Sequence, residues 1–309
     1  MRKEKKKKRK WLRIIGIIFL LLLLGVAGYG FYIYYSVTSA VDTMHVPIKR
    51  EKSDKREQTI TLEKKDPFTV LMLGVDEREG DKGRSDTMIV LAVNPQTESV
   101  KMLSIPRDTR TEIIGRGSED KINHSYAFGG VEMAMETVED FLDIPINYYV
   151  KMNMEGFQDI VDAVNGVDVY NDLAFRAGMN QFSKGNIHLD GEEALAFVRM
   201  RKDDPNGDFG RQHRQREVIQ GVIDKGASFS SLTRLDDILA ALGKNVKTNI
   251  TFSEMVDMQK NYKDTGKNID QLSIEGDGQY IGDIWYLIVP EEEQLRVQTE
   301  MKQQLQMNR

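Results

Sequence analysis

The chain has 309 residues, of which 40% are hydrophobic, and it contains no cysteine. This length allows one large folded domain or two small ones, and the lack of cysteine excludes disulfide bonds and thiol catalysis. The net charge of −5 is unevenly distributed, because residues 1–13 carry a net charge of +8 and the remainder carries −13. An acidic surface of this kind excludes general binding of nucleic acid, so any anion site requires a local cluster of arginines.

An apolar segment follows the basic N-terminus. Residues 14–35 contain no charged side chain, and four tyrosines lie near the far end of the segment. Because about 20 apolar residues span a bilayer, the segment is predicted to be a transmembrane signal-anchor helix. A cleavable signal peptide, the alternative, usually has an apolar region of only ~7–15 residues. The positive-inside rule then places residues 1–13 in the cytoplasm as a basic tail and the C-terminal domain outside the cell, as in a single-pass type II cell-membrane protein.

The rest of the chain is predicted to be an extracellular α/β domain. Residues 36–66 are polar and charge-rich, which favours a stalk or linker, packed in part through Val46-Pro47-Ile48, before a catalytic domain at 67–309. Runs rich in Val, Ile, Leu or Met predict three strands, and only the turn at 94–98 separates the second from the third. These strands are Phe68–Val75, Thr87–Val93 and Val100–Ile105. Helical patterns at about 124–142, 153–164, 191–198, 210–227, 234–246 and 252–263 interleave with strands near 147–151, 271–275 and 284–289, and a last helix starts at Pro290. Interleaved strands and helices predict an α-β-α sandwich with a mixed central sheet.

The ends of the first three strands carry a polar cluster. If the first connection also returns as a hairpin, then Asp76, Asp86 and Arg107 emerge together at one end of the sheet, where α/β proteins often bind ligands. Two carboxylates beside arginines suggest Mg²⁺ bound through carboxylates and substrate phosphates. The alternative is that the aspartates cap turns and pair with arginine.

Five arginines lie close together in the sequence within this acidic domain. They are Arg199, Arg201, Arg211, Arg214 and Arg216. On a helix, Arg199 and Arg201 would lie roughly 200° apart and could not share a ligand. In an extended segment they share a face. We therefore predict that the helix ends near Phe197 and that Val198–Lys202 is extended, with both guanidinium groups directed at one anion.

The following helix is predicted to begin just after Asp208, which would then be its N-cap. Arg211 and Gln215 lie four residues apart and share one face of this helix. A helix N-terminus with arginines and an amide nearby is a ready anion site, and the planar guanidinium suits phosphate oxygens. A solvated basic face is the alternative, and it suits Arg214 and Arg216 better than the others.

Other catalytic signals are absent from the sequence. The four histidines are scattered without the spacing of metal ligands, and there is no Walker A loop, H-E-x-x-H or G-x-S-x-G motif. Serine-nucleophile and zinc-hydrolase functions therefore have no support. The fifteen methionines suit an ordinary core, but they would also suit a pocket for a long flexible lipid tail.

Together these motifs resemble the LytR–CpsA–Psr (LCP) family, and within it the teichoic-acid transferases of Gram-positive bacteria. The resemblance covers roughly residues 67–230 in motifs and the whole chain in layout, with a short basic tail, one membrane helix and an extracellular domain. The motifs that carry it are Leu71-Met72-Leu73-Gly74-Val75-Asp76, Arg84-Ser85-Asp86-Thr87, Ser104-Ile105-Pro106-Arg107-Asp108, Lys121-Ile122-Asn123-His124, and Phe197-Val198-Arg199-Met200-Arg201 continuing to Asp208, Arg211 and Gln215.

The resemblance implies that the domain holds a polyprenyl-pyrophosphate-linked glycopolymer, with the lipid in an apolar tunnel between sheet and helices. In such proteins Asp76 and Asp86 would bind Mg²⁺ (or Mn²⁺). The pyrophosphate would be gripped by basic and amide side chains, with Arg84 and Arg110 as less certain members. These substrate-binding residues are Arg84, Arg107, Arg199, Arg201, Arg211 and Gln215. The implied reaction is phosphotransfer to a muramic-acid hydroxyl of peptidoglycan, releasing polyprenyl phosphate, with Arg107 as a catalytic residue and Asp208 accepting the proton unless it is only a helix cap.

Three other functions remain open at this stage. A membrane-bound transcription attenuator would need a cytoplasmic DNA-binding module, but 13 residues are too few to fold. A non-catalytic lipid carrier would use the same arginines for binding alone. A pyrophosphatase would use water as the acceptor. The sequence also leaves open which glycopolymer is carried, whether wall teichoic acid, teichuronic acid or capsule.

Overall fold

A computed structural model describes residues 2–50, 52–77, 83–201, 204–226 and 234–307. The strands are β1 Phe68–Val75, β2 Ser85–Asn94, β3 Ser99–Ile105, β4 Arg110–Ile113, β5 Ser118–Lys121, β6 Tyr148–Asn153, β7 Val167–Asn171, β8 Phe175–Ala177, β9 Asn180–Phe182, β10 Gly185–Leu189, β11 Val246–Thr248, β12 Ile269–Ser273, β13 Asp277–Ile281 and β14 Ile284–Ile288. The α-helices are α1 Arg2–Met44, α2 His124–Leu142, α3 Met154–Ala163, α4 Gly191–Arg199, α5 Gly207–Gly226, α6 Leu235–Asn245, α7 Phe252–Tyr262 and α8 Glu291–Gln304.

The central sheet is mixed, as the sequence predicts. Among the described residues its six strands have the order β11-β6-β1-β2-β3-β12. The first three strands along the chain form an antiparallel meander, in which β2 pairs with both β1 and β3. β6 runs parallel to β1, and β12 runs parallel to β3. The meander confirms that the first connection returns as a hairpin does, so the end of β1, the start of β2 and the end of β3 lie at one end of the sheet.

Helices cover both faces of this sheet. Alternate residues of β1, Leu71 and Leu73, are fully buried in a core that α2 and α8 share with the sheet. The side chain of Met72 points to the other face of the sheet, because successive strand residues point to opposite faces. On that second face a further apolar core is built from α3, α4 and α5 together with strands β7 to β10. The α-β-α sandwich is therefore confirmed.

The N-terminal helix is longer than predicted. It continues past residue 35 to Met44, and the part from Ile14 to Met44 is long and apolar enough to cross a membrane. Its last turns pack on α6, where Val41 is 3% and Met44 5% exposed, in a cluster with Ile160 and Val246. Apolar side chains three and four residues apart form one face of a helix, which explains why the segment continues as helix instead of becoming an extended stalk.

The remainder of the predicted stalk also lies on the domain. The Tyr149 hydroxyl donates to the Val46 carbonyl at 2.8 Å, and Arg50 pairs with the buried carboxylate of Glu139. Further along, Leu62 is buried in a core with β1 and α7. Residues 36–50 and 52–66 are therefore part of the folded body, because their few apolar and charged side chains find partners on the domain.

Candidate functional site

A cavity of about 700 Å³ lies between the sheet and helices α3, α4 and α5. One part of its lining is apolar, including Met72 and Val150 of the sheet, Phe157 of α3, Leu195 of α4 and Ile219 of α5. The other part is charged or polar: Asp76, Asp86, Asn153, Arg107, Arg176, Arg199, Arg201, Arg211 and Gln215. Four methionines, at positions 72, 152, 154 and 200, contribute to the lining. Such a cavity suits an amphiphilic molecule with an anionic group and a long apolar part.

The strand ends bring the first predicted cluster together. Asp76 follows β1, Asp86 is the second residue of β2, and Arg107 lies two residues past β3. Nη1 of Arg107 donates to Oδ1 of Asp86 at 2.7 Å. Burial lowers the pKa of Arg107, but Asp86, Asp108 and Asp208 together raise it above its ordinary value. The guanidinium is therefore a permanent cation at the polar part of the cavity.

Arg211, in the second turn of α5, reaches the same strand end. Its side chain is buried, and Nη2 lies 3.4 Å from the backbone oxygen of Asp86 and 2.9 Å from Oδ1 of Asp208. Burial, only partly offset by Asp208, lowers the pKa of Arg211 below its ordinary value. The remaining outer nitrogens, Nη1 of Arg211 and Nη2 of Arg107, donate to none of the residues that the structure describes. Both arginines thus retain donors for a ligand.

Arg199 and Arg201 also line the cavity, although the local backbone geometry differs from the prediction. The prediction that the helix ends near Phe197 is wrong by two residues, because α4 runs to Arg199. Met200 then turns to an extended conformation with φ −60° and ψ 131°, which brings Arg201 to the same cavity as Arg199. Both side chains are exposed to the cavity, and within the described ranges neither forms an ion pair. Lys202, the last residue of the predicted extended segment, lies outside the described residues.

Arg214 and Arg216 do not form the solvated basic face that the sequence suggested. Arg214 is 7% and Arg216 8% exposed. Arg214 pairs with Asp204 at 2.5 Å, and Arg216 donates to Ser104 at 2.9 Å and to Gln271 at 2.8 Å. Burial of these charges is possible because each guanidinium finds acceptors inside the protein.

Three other predicted site residues, Asp208, Arg84 and Arg110, do not line the cavity in the described structure. Asp208 lies in the first turn of α5, which begins at Gly207, so Asp208 is not the N-cap. Its carboxylate accepts from Gln212 at 3.0 Å and pairs with Arg211, which lines the cavity, but Asp208 itself is not among the described residues of the lining. Arg84 is exposed and Arg110 pairs with Glu119, and neither is among the described residues that line the cavity.

Arg176 is a cavity residue that the sequence analysis missed. It lies on β8, in a short hairpin with β9, and its cross-strand neighbour is Gln181. The adjacent Phe175 stacks on Phe197 of α4 at 5.6 Å, which fixes the hairpin beside the cavity. Within the described part of the chain no ion pair involves Arg176. Only the alternation of buried and exposed residues around Phe175 could have indicated this strand, and it is too short to stand out.

The carboxylates present fit a magnesium ion in part. Asp76 and Asp86 line the same cavity, and Oδ2 of Asp86, unlike Oδ1, has no hydrogen-bond partner among the described residues. No group of three or more His, Cys, Asp or Glu in the described residues could hold a metal ion. Mg²⁺ is typically bound through one or two carboxylates, with substrate phosphates and waters as the other ligands. Two carboxylates beside an anion-binding set therefore match the requirements of a substrate-bridged ion.

The sequence is similar to a known protein family. The sequence model of the LytR_cpsA_psr family matches residues 31–303. A protein of Bacillus mycoides (strain KBAB4), named polyisoprenyl-teichoic acid–peptidoglycan teichoic acid transferase TagU, is 54% identical over 275 residues, covering 89% of this chain and 90% of its own.

Solved structures share the fold. The crystal structure of B. subtilis TagU is 49% identical with a TM-score of 0.64, and the match covers 78% of this chain and 97% of that one. A structure described as TagT bound to LIIa-WTA is 33% identical with a TM-score of 0.72, and the match covers 85% of this chain and all of that one.

Proposed function

The chain belongs to the LytR_cpsA_psr family, and we propose that it is a phosphotransferase that attaches a polyprenyl-pyrophosphate-linked anionic glycopolymer to peptidoglycan. The polymer we favour is wall teichoic acid, since the relatives at 54% and 57% identity are named as teichoic acid transferases. The acceptor is a muramic-acid hydroxyl, and the product that leaves is polyprenyl phosphate.

The observation that carries this proposal is a set of arginines beside an apolar lining. Arg176, Arg199 and Arg201 line the cavity, and no ion pair to any of them occurs among the described residues. Guanidinium groups that form no ion pair within the described ranges of an acidic domain favour an anionic ligand, and the planar fork matches phosphate oxygens. The apolar lining, with its four methionines, suits a flexible isoprenoid chain.

In the proposed reaction the acceptor hydroxyl oxygen attacks the phosphorus that carries the glycan. A new oxygen–phosphorus bond forms as the bond to the bridging oxygen breaks, and the electron pair leaves with polyprenyl phosphate. Arg107 and Arg211, held at one strand end by Asp86, neutralise the charge that develops on the phosphate oxygens. Mg²⁺, held by Asp76 and Asp86, would supply further neutralisation of that charge.

Asp208 is the residue we propose as proton acceptor. Its carboxylate is held by Gln212 and by Arg211, and Arg211 is a residue of the polar lining. Among the arginines around it, a carboxylate can take the proton of the attacking hydroxyl as the bond to phosphorus forms. Asp208→Asn would then lower turnover strongly and leave donor affinity close to that of the unmodified protein.

We also propose the membrane topology. Residues 14–35 of α1 anchor the protein in the cell membrane, residues 1–13 remain in the cytoplasm, and the catalytic domain is extracellular. A lipid-linked donor would then reach the cavity from the outer leaflet of the membrane that holds the anchor.

The test uses the full-length protein in lipid nanodiscs, because the end of α1 packs on the domain. A synthetic polyprenyl-pyrophosphate disaccharide carrying glycerol phosphate is mixed with uncross-linked glycan strands, and products are followed by mass spectrometry. We expect glycan attached to the strands together with free polyprenyl phosphate. Attachment should be lost in the Arg199→Ala/Arg201→Ala double variant and retained in Arg116→Ala, whose guanidinium lies over Phe128 outside the cavity.

Other outcomes of the same experiment identify the competing functions. Glycan phosphate released without attachment would show hydrolysis, which is a pyrophosphatase. Donor binding by the unmodified protein, with no product in the presence of acceptor, would show a lipid carrier. Either result would overturn the proposed transferase function.

A further inference from the structure

A buried guanidinium joins the ends of α4 and α5 behind the cavity. Nε of Arg214 donates to the Phe197 carbonyl at 3.0 Å, and Nη2 donates to the Met200 carbonyl at 2.5 Å. These are carbonyls at the C-terminal end of α4, where the helix itself supplies no partner. The guanidinium carbon also lies 5.3 Å from the ring centre of Phe175 and 5.8 Å from that of Phe197. One side chain on α5 therefore fixes the end of α4.

Asp204 completes the connection from the other side. Its Oδ2 accepts from Nη1 of Arg214 at 2.5 Å, and its Oδ1 accepts from the Asn206 amide at 2.7 Å. The Gly207 amide donates to the Asp204 backbone oxygen at 2.9 Å, so the same residue shapes the turn that opens α5. Gly210 leaves the space for this carboxylate, since a Cβ there would lie only 1.9 Å from Oδ2 of Asp204.

The pair lies between the two arginine groups of the site. Arg199 and Arg201 flank Met200, whose carbonyl Arg214 holds, and Arg211 lies one helical turn before Arg214. Neither Arg214 nor Asp204 is among the described residues that line the cavity. We infer that Arg214, held by Asp204, is a positioning residue that fixes the spacing between the Arg199–Arg201 segment and the start of α5. This inference rests on the proposed function, in which both groups grip one pyrophosphate.

The chemistry of the guanidinium explains why this position requires arginine. The planar fork of Arg214 directs three donors at three different acceptors, Phe197, Met200 and Asp204. A lysine would keep the charge opposite Asp204 but could not hold both carbonyls in the same fixed plane. Because Asp204 neutralises Arg214, the effect of the pair on the ligand is geometric and adds no net charge to the cavity.

The test compares two buried arginines of the same helix. In full-length protein in nanodiscs, kcat and KM for the polyprenyl-pyrophosphate disaccharide and the melting temperature are measured for Arg214→Lys and for Arg216→Lys. Arg216 is equally buried, but it bonds to Ser104 and Gln271 on the sheet. We expect kcat/KM to fall about tenfold or more in Arg214→Lys and less than about threefold in Arg216→Lys. The kinetics are compared at temperatures equally far below the melting temperature of each variant. Equal losses in the two variants would overturn the inference.

A double-variant comparison separates positioning from simple stabilisation. If Arg214 acts through the Arg199–Arg201 segment, the two changes are coupled. Adding Arg214→Lys to the Arg201→Ala variant should then lower kcat/KM by less than about a further twofold. Full additivity would show that Arg214 acts independently of this segment and would overturn the inference.

Binding of inorganic pyrophosphate, measured by calorimetry, keeps this inference separate from the proposed function. If the unmodified protein binds pyrophosphate but transfers no glycan, the proposed function fails. The positioning role is then decided by affinity alone, with a loss of about tenfold expected in Arg214→Lys and little change in Arg216→Lys. Unchanged pyrophosphate affinity in Arg214→Lys would overturn the positioning role.

Discussion

Arg107 and Asp86 join two strand ends at the polar part of the cavity, with Nη1 of Arg107 2.7 Å from Oδ1 of Asp86. The side chains are 24% and 29% exposed, so the pair is neither buried nor freely solvated. A partly solvated pair contributes little to the free energy of unfolding, about 1 kcal/mol or less. The pair is therefore better explained as an arrangement that orients a cation towards the ligand while keeping a carboxylate beside it.

We expect Arg107→Ala to lower kcat by about 100-fold and the free energy of unfolding by no more than about 1 kcal/mol, because the lost cation acts mainly on the transition state. Steady-state kinetics and thermal unfolding measure the two effects. The control is Arg116→Ala, which removes a guanidinium outside the cavity. A large loss of stability with little change in kcat would show that the pair is structural.

Removal of divalent metal should abolish transfer, and Mg²⁺ should restore it. Asp76→Asn is expected to raise the Mg²⁺ concentration for half-maximal activity by about tenfold or more, because a neutral amide replaces one of two carboxylate ligands. The measurement is a Mg²⁺ titration of chelator-treated protein. As a matched control, Asp277→Asn neutralises an exposed carboxylate on β13. Full activity in chelator would contradict the metal assignment.

Arg176 is expected to contribute to donor binding rather than to turnover. It is exposed on the β8–β9 hairpin, so Arg176→Gln should raise KM for the donor about fivefold, equivalent to roughly 1 kcal/mol, with kcat nearly unchanged. The loss should shrink as ionic strength rises, since the contact is partly solvated. Gln181→Ala alters the cross-strand neighbour and should leave KM unchanged. If both variants raise KM equally, the increase comes from a change in the structure of the hairpin and not from loss of the Arg176 charge.

The carboxylate of Asp143 makes the stability of the folded protein depend on pH. It follows α2 in a left-handed conformation with φ 50°, and its carboxylate binds Lys302 of α8 and Lys55. Hydrogen bonds from Lys302 and then Lys55 lower the pKa of Asp143 below its ordinary value. Since the pKa is lower in the folded than in the unfolded state, the stabilisation is complete above about pH 4 and is lost as pH falls through the folded pKa.

Melting temperature measured between about pH 2 and pH 7 tests this expectation. Asp143→Asn should lower the melting temperature at neutral pH, by an amount corresponding to less than about 1 kcal/mol because the carboxylate is 44% exposed. The variant should also lose less stability than the unmodified protein as pH falls below 4. If the melting temperatures of the two proteins fall in parallel as the pH is lowered, Asp143 does not account for the loss of stability in acid.

The strand meander and most helices follow directly from local sequence pattern. Phe68–Val75 is dense in apolar residues, as a strand covered on both faces usually is. Asp190 and Glu193 form the capping box that opens α4, as their spacing predicts. Local signals of this kind define the strands, but Asp76, Asp86 and Arg107 come together at one end of the sheet only if the first connection returns as a hairpin, which the local pattern left as a condition.

Contacts between distant segments could not be predicted in the same way. Whether Arg214 is solvated or buried depends on Asp204 and on two carbonyls of another helix, and charge pattern alone carries no information about them. The short strands β7 to β10 were missed because each has only three to five residues, too few for a clear period. The end of α4 was misplaced for a related reason, since the extended residue Met200 is fixed by Arg214 from outside the helix.

The continuity of α1 has a consequence for how the enzyme works at a surface. From Tyr35 to Met44 the helix rises about 14 Å, and its last turns are locked against α6. In the proposed topology the domain is therefore carried on a rigid post rather than on a flexible tether. A rigid connection of this kind would restrict the height and tilt of the domain above the bilayer, and with them the direction from which the cavity meets a lipid-linked donor. The strands of cell wall within reach of that height would then be the ones that are modified.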